Sequence, residues 1–239
     1  MANLIIDIGN TALKAAWADG VTLGKTFRYQ GERTMDFILS KTAKEKPEVM
    51  VVSTVREMTK RNENLLRQEC SHLIMMDSRN RSVSEHNGIP AYLSPDRAAS
   101  IIAARYLFKG SPVTIFDCGT ILTTDYLDSE GNYEGGSISP GCMTRFKSVN
   151  RYSNRSLPLL LEMPEETEEK STSLEDSIKS GIISGIMFEI RGRMDSHPEN
   201  ICVFTGGDAN YFVKRLKNSI FVVCNLVLMG LALVADRYE

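Results

Sequence analysis

Leu4-Ile-Ile-Asp7-Ile-Gly-Asn-Thr11 and, 110 positions later, Thr114-Ile-Phe-Asp117-Cys-Gly-Thr120 are two versions of one design. Each begins as a short β-branched and apolar run, which reads as a buried strand. Each places an acid at the strand's end, a glycine two residues later and then a hydroxyl. Glycine tolerates positive φ and lets backbone come close to a ligand. The exposed N–H groups and the threonine hydroxyl can hold phosphate oxygens, while the acid can hold a cation. One such turn is weak evidence. Two, at the start of each half, point to a duplicated nucleotide-binding α/β fold.

Bulk properties narrow the function before further motifs are weighed. The chain has 239 residues, enough for one large domain or two small ones. Hydrophobic content of 42% and charged content of 24% are those of an ordinary soluble protein. A net charge of −2 leaves no electrostatic footprint for nucleic acid. Cys70, Cys118, Cys142, Cys202 and Cys224 form no Cys-x-x-Cys pair, and the three histidines are isolated, which argues against zinc. A reduced, cytoplasmic protein is expected. The most apolar stretch, Ile220 to Ala235, is interrupted by Asn225 and Gly230 and is shorter than the roughly 20 residues of a membrane span. It reads as a buried strand followed by a packed C-terminal helix, with no membrane partner.

Strand and helix patterns alternate along the chain. Strands are expected at Leu4 to Asp7, Ala12 to Trp17, Thr22 to Tyr29, Val49 to Ser53 and His72 to Met76, with Asp19-Gly20 as a hairpin turn. Helices are expected at Thr34 to Lys44, Asn62 to Glu69 and Asp96 to Phe108. The second half restarts with strands at Val113 to Asp117 and Ile121 to Leu127, then Tyr133, a long helix Ser173 to Arg191, a strand Ile201 to Phe204 and a helix Asn210 to Leu216. This repetition divides the chain into residues 1–110 and 111–239. Pro158 to Lys170, rich in glutamate, reads as a solvated connection.

Four clusters carry the remaining chemistry. Tyr92-Leu-Ser94-Pro95-Asp96-Arg97 is a standard helix start, with Ser94 as N-cap and Pro95 in the first position. It also offers a carboxylate, an anion clamp and an aromatic platform in one loop, and a carboxylate that accepts a hydroxyl proton recurs in kinases. Gly135-Gly-Ser-Ile-Ser-Pro-Gly141 holds more glycine than a plain turn needs, so close approach of a ligand or of another backbone is expected. Thr205-Gly206-Gly207 lies between a strand and a helix, where a nucleotide could rest on the backbone. Ser171-Thr172-Ser173 precedes the long helix and reads locally as its N-cap. Gly181 and Gly185 inside that helix suggest close packing. There is no Gly-x-x-x-x-Gly-Lys-[Ser/Thr] loop and no Gly-x-Gly-x-x-Gly after the first strand, which excludes the P-loop and disfavours a Rossmann cofactor site.

Taken together, Asp7-Ile-Gly-Asn-Thr-x-x-Lys14, Tyr92 with Asp96-Arg97, Asp117-Cys-Gly-Thr-x-x-Thr123, Gly135-Gly-x-Ile-x-Pro-Gly141 and Thr205-Gly-Gly resemble the type III pantothenate kinases over essentially the whole chain. The resemblance implies two RNase H-like domains of the actin, Hsp70 and sugar-kinase type. It implies ATP-dependent phosphorylation of pantothenate to 4′-phosphopantothenate, in a homodimer that needs Mg²⁺ and a monovalent cation, K⁺ or NH₄⁺. On that resemblance Asp7, Ile8, Gly9, Asn10, Thr11 and Lys14 would form the first ATP-phosphate loop, with Asp7 ordering Mg²⁺ through water. Asp96 would be the general base, and Tyr92, Ser94, Pro95 and Arg97 would hold the acceptor. Asp117 would bind potassium, Gly119 and Thr120 a second phosphate contact, and Thr205, Gly206 and Gly207 the adenosine side. Two departures stand out. Ser94-Pro95 replaces the family's usual Gly-x before Asp-Arg. Leu174 occupies the register where the family has a substrate-contacting threonine, so Thr172, Ser173 and Leu174 are all candidates for that contact. A relative that phosphorylates another small acceptor, and a non-catalytic nucleotide-binding regulator, are the alternatives.

Overall fold

A computed structural model describes residues 2–152, 163–165, 170–216 and 220–237, so most of the glutamate-rich connection expected over 158–170 lies outside the described residues. The chain divides into two compact units. The first takes Met1–Gly110, Gly131–Tyr133 and Asn225–Glu239, and the second takes Ser111–Glu130 and Glu134–Cys224.

The first unit opens with β1 (Asn3–Ile8), β2 (Leu13–Asp19) and β3 (Thr22–Tyr29), then α1 (Thr34–Thr42), β4 (Val49–Thr54), α2 (Lys60–Arg67), β5 (His72–Met76), α3 (Ser82–His86) and α4 (Pro95–Leu107). The sheet order is β3-β2-β1-β4-β5. β1 and β2 pair antiparallel, while β4 and β5 run parallel to β1 through helical crossovers. Because β1 is covered on both faces, its sequence is a continuous apolar run rather than an alternation. Leu4, Ile6 and Ile8 pack with Met50, Val52, Ile38 and Leu66 on one face. Ile5 and Asp7 therefore point to the other. Gly20 takes φ 53°, the left-handed conformation that the Asp19-Gly20 hairpin turn requires.

The second unit repeats this plan with β6 (Val113–Cys118), β7 (Ile121–Leu127), β8 (Tyr133–Pro140), α5 (Cys142–Tyr152), α6 (Leu174–Ser196), β9 (Ile201–Thr205), α7 (Ala209–Val213) and β10 (Phe221–Val222). Its order, β10-β9-β6-β7-β8, is again third-second-first-fourth-fifth when read from the hairpin edge. β6 is antiparallel to β7 and parallel to β9. Phe116 and Phe204, stacked at 4.7 Å, anchor a core that Ile183, Ile186 and Ile190 of α6 complete. Gly135 to Pro140, whose glycines suggested close approach of a ligand or of another backbone, belongs to the edge strand β8.

The last element, α8 (Leu226–Asp236), does not belong with residues 111–224. It packs on α4 and on the first sheet. Eight of its eleven residues are buried, and α4, which packs against it, buries Ala98, Ala99, Ile101, Ile102, Ala103 and Ala104. The approach is so close that a Cβ at Gly230 would strike the carbonyl oxygen of Ala99. Small residues on one helix and a glycine on the other make that crossing possible.

Candidate active site

The first aspartate turn follows from the end of β1. Asp7 lies in register between Lys14 on β2 and Ser53 on β4, so the strand-end carboxylate is flanked by an ammonium-bearing residue and a hydroxyl. Ser53 Oγ donates to Asp7 Oδ1 at 3.1 Å, and this fixes the carboxylate. The turn closes through Gly9 N–H to the Ala12 carbonyl at 3.0 Å. Arg56 donates to the Asn10 carbonyl at 2.7 Å, which brings a second cation to the turn. Asn10 and Thr11 are exposed at its tip, and Ile8 is buried beneath it. The first turn thus carries an exposed threonine at its tip, a lysine in register with Asp7 and Arg56 at its backbone, residue types suited to phosphate oxygens.

Asp96 and Arg97 stand in the first turn of α4. Ser94 has the extended backbone of an N-cap residue (φ −66°, ψ 154°), yet its hydroxyl makes no capping bond; Pro95 holds the first helical position. The Asp96 carboxylate takes the Arg97 N–H instead, at 2.9 Å. Asp96 is half-buried, whereas Arg97 is 7% exposed. The Arg97 guanidinium donates to the Tyr133 hydroxyl at 3.2 Å. Tyr92 is 71% exposed and leaves its ring open to a ligand.

The second turn, in the other unit, repeats the register. Asp117 sits between Thr123 on β7 and Thr205 on β9, as Asp7 sits between Lys14 and Ser53. Gly119 N–H bonds to the Ile121 carbonyl at 3.1 Å, and Gly141 N–H to the Thr120 carbonyl at 3.1 Å. A Cβ at Gly141 would collide with the Gly119 carbonyl, so the glycine-rich stretch does meet another backbone, and that backbone is the turn itself. Gly206, at φ 94°, lies against Asp117: a Cβ there would be 2.5 Å from Oδ1 and would also strike the Cys118 carbonyl oxygen. Asp208 N–H bonds that same carbonyl at 2.9 Å. Thr205-Gly206-Gly207 is thus locked to the Asp117 turn, a cradle of oxygen donors that any side chain at 206 would fill. Burial raises the carboxyl of Asp208 above its usual pKa range. Among the described residues no group of three His, Cys, Asp or Glu side chains forms a metal cluster.

Ser173 caps α6 as expected, accepting from the Asp176 N–H at 3.1 Å. Thr172 and Leu174 are exposed on either side of it. Gly181 and Gly185, however, do not mark tight packing. Among the described residues nothing lies within 4 Å of a Cβ at Gly181, and Gly185 meets only the end of Arg145 at 3.7 Å. They line an open groove with Ser177, Ser180, Ser184 and Phe188.

Sequence reasoning missed Ser53, Arg56 and Tyr133 at these places, and gave no role to Asp208, which stands in the Thr205-Gly-Gly-Asp-Ala209 cluster. Ser53 and Arg56 become visible only once β4 is known to run beside β1. Tyr133 had no local signal.

Comparison with known proteins identifies the family. The type III pantothenate kinase family matches over residues 3–196. A type III pantothenate kinase of Cytophaga hutchinsonii is 35% identical over 236 residues, covering 96% of each chain. Among solved structures, a candidate Baf family transcriptional activator from Campylobacter jejuni superposes with a TM-score of 0.63 at 19% identity, covering 99% of this chain and 100% of that one. The activator of the 2-hydroxyisocaproyl-CoA dehydratase from Clostridium difficile, with bound ADPNP, gives 0.59 at 13% identity, covering 100% and 95%. At such identities these two establish the fold alone, and it is the duplicated α/β fold of the actin, Hsp70 and sugar-kinase type. With the family match spanning most of the chain and the identity sustained over nearly all of it, the chain belongs to the type III pantothenate kinases.

Proposed function

We infer that this chain transfers the γ-phosphoryl group of ATP to the hydroxyl of pantothenate, giving 4′-phosphopantothenate and ADP, the first step toward coenzyme A. Family membership over residues 3–196, with Asp96 and Arg97 together on the first turn of α4, is the observation that carries it.

In this reading Asp96 takes the proton of the acceptor hydroxyl as its oxygen bonds to the γ-phosphorus. The bond from that phosphorus to the bridging oxygen breaks, and ADP leaves with the electron pair. Arg97 and Tyr92 hold the rest of pantothenate, Arg97 through its carboxylate or amide oxygens. Ser94 and Pro95 shape that loop, and Thr172, Ser173 or Leu174 reaches the acceptor from the start of α6. Ile8 to Thr11, Lys14, Gly119 and Thr120 hold phosphate oxygens, and Thr205 to Gly207 the adenosine side. Little covalent work falls to the protein, so positioning and charge neutralisation dominate.

Two cations complete the reading. The Asp7 carboxylate, a hard oxygen ligand at the rim of the first turn, suits Mg²⁺ held through water. Asp117 Oδ1 and the Cys118 carbonyl, at the cradle left by the missing Cβ of Gly206, suit a monovalent cation such as K⁺ or NH₄⁺. When bound, these ions offset the charge of the phosphates. We place the enzyme in the cytoplasm, in keeping with five free cysteines, and assign it as a homodimer.

Purified protein with ATP, Mg²⁺ and pantothenate, assayed in potassium and again in sodium, tests the whole reading. Turnover that needs potassium supports both the reaction and the Asp117 site. Equal turnover in both salts would remove the Asp117 assignment, and no turnover in either would remove the reaction. Sedimentation velocity tests the dimer.

A further inference from the structure

We propose that Tyr133 is a positioning residue of the acceptor site: its hydroxyl orients the Arg97 guanidinium, and with Tyr92 it sets how the polar tail of the acceptor is received. The inference rests on the reading of Arg97 as the acceptor's anion clamp.

Three residues, Gly131 to Tyr133, belong to the first unit and are gripped by α4 at two places. Arg105 Nε donates to the Gly131 carbonyl at 2.6 Å, while Arg105 Nη1 donates to the Asn87 carbonyl at 2.6 Å. Gly131 has φ 84°, and a Cβ there would lie 3.1 Å from Arg105 Cγ, so the turn is pressed against that side chain. Eight residues earlier on the same helix, about 12 Å along its axis, Arg97 Nη2 donates to the Tyr133 hydroxyl at 3.2 Å. The tyrosine is thus anchored through Arg105 and delivered to Arg97.

The consequence is chemical. A guanidinium recognises a carboxylate or amide through a planar fork of N–H groups, and the plane must be fixed before it can be selective. Tyr133 occupies one Nη2 donor and so contributes to fixing that plane. Its oxygen lies 3.5 Å from that of Tyr92. That separation exceeds the usual O–H···O range of about 2.5–3.0 Å, so among the described residues the exposed Tyr92 hydroxyl is committed to nothing stronger and can turn to an incoming oxygen. Arg97, Tyr133 and Tyr92 form one chain of polar groups that begins beside Asp96. It suits an acceptor with an anionic or amide end and a hydroxyl to phosphorylate.

The test is a double-mutant cycle on the full chain, with Tyr133→Phe, Arg97→Met and both together, reading KM for pantothenate, KM for ATP, kcat and the melting temperature. Tyr133→Phe should raise KM for pantothenate roughly tenfold, the scale of one hydrogen bond to a charged group. KM for ATP and kcat should stay within about twofold. In the Arg97→Met background the same change should cost almost nothing, because Tyr133 acts through Arg97. Arg105→Ala, which frees the turn without reaching the acceptor, should reproduce part of the Tyr133→Phe effect. Additive effects of the two substitutions, an unchanged KM in Tyr133→Phe, or a parallel loss in kcat and ATP affinity would each overturn the inference. A wild-type enzyme that saturates with pantothenate while Arg97→Met leaves KM unchanged would instead remove the clamp reading, and this inference with it.

Discussion

Replacing Gly230 by alanine tests the α4–α8 crossing, because one methyl group is asked to do two opposed things. In a helix interior alanine is favoured over glycine by about 1 kcal/mol. At Gly230, however, the added Cβ would strike the carbonyl oxygen of Ala99, and would lie 2.5 Å from its carbonyl carbon and 3.0 Å from its Cα. All three are backbone atoms of a buried helix, so no rotamer change relieves the clash. Overpacking of this kind costs about 1–3 kcal/mol, and a rigid backbone obstacle belongs at the upper end. The net expectation is a loss of about 2 kcal/mol, or a fall in melting temperature of about 4–8 °C for a chain of this size. Gly192 on α6 is the control: it too is helical but it is exposed, and no described residue lies within 4 Å of its Cβ position. Gly192→Ala should stabilise by about 0.5–1 kcal/mol. Circular dichroism during urea unfolding reads both variants. Trp17, the single tryptophan, packs on the core of the first unit and reports that unit alone by fluorescence. A Gly230→Ala protein as stable as wild type would refute the close crossing.

Further outcomes follow from the site. Asp96→Asn should lower kcat by about 10²–10⁴ while ATP affinity by calorimetry is kept; unchanged turnover would remove Asp96 as the base. Gly206→Ala forces a side chain into a left-handed position against Asp117 Oδ1, so KM for ATP should rise at least about tenfold and the response to potassium should fade, both read in the coupled kinase assay. Among the thiols, burial first and then the charge of Asp208 push Cys142 up to about 12, and burial raises Cys118 further still. Thiolate is the reactive form, and at pH 8 both groups stay protonated. Mass spectrometry after brief alkylation should find the label on exposed Cys224 and none on Cys118 or Cys142.

How far the sequence carried can be judged from individual elements. The strands His72–Met76 and Ile121–Leu127 have the bounds expected, and the Asp19-Gly20 hairpin joins β2 to β3 as the turn chemistry required. These segments are either continuously apolar or flanked by strong turn signals, so local pattern sufficed. β8 was hidden because its glycines suggested close approach of a ligand or of another backbone. As an edge strand exposed at every second position, it needs no apolar run. α3 and α5 were missed as well: the first has only five residues, and the second begins directly after Gly141, whose glycine-rich surroundings masked the start. The two aspartate turns and the Asp96-Arg97 pair stood out because glycine spacing and charge are local. The partners that hold them, Ser53, Arg56, Asp208 and Tyr133, arrive through strand register or a distant turn. Gly181 and Gly185 warn that spacing alone does not decide what a helix face meets: the same inference that fails there holds at Gly230.

The return of α8 to the first unit bears on how the protein is made. A ribosome delivers residues 1–110 first, but that domain's sheet still lacks one of its covering helices, and α4 lacks the partner its alanine face fits. Residues 111–224 emerge next and hold nearly everything their own domain needs. The domain synthesised first is therefore the one completed last, when Asn225–Glu239 finally appears. Until then the apolar, small-residue face of α4 lies open, and an uncovered apolar face on a partly made chain invites misassembly.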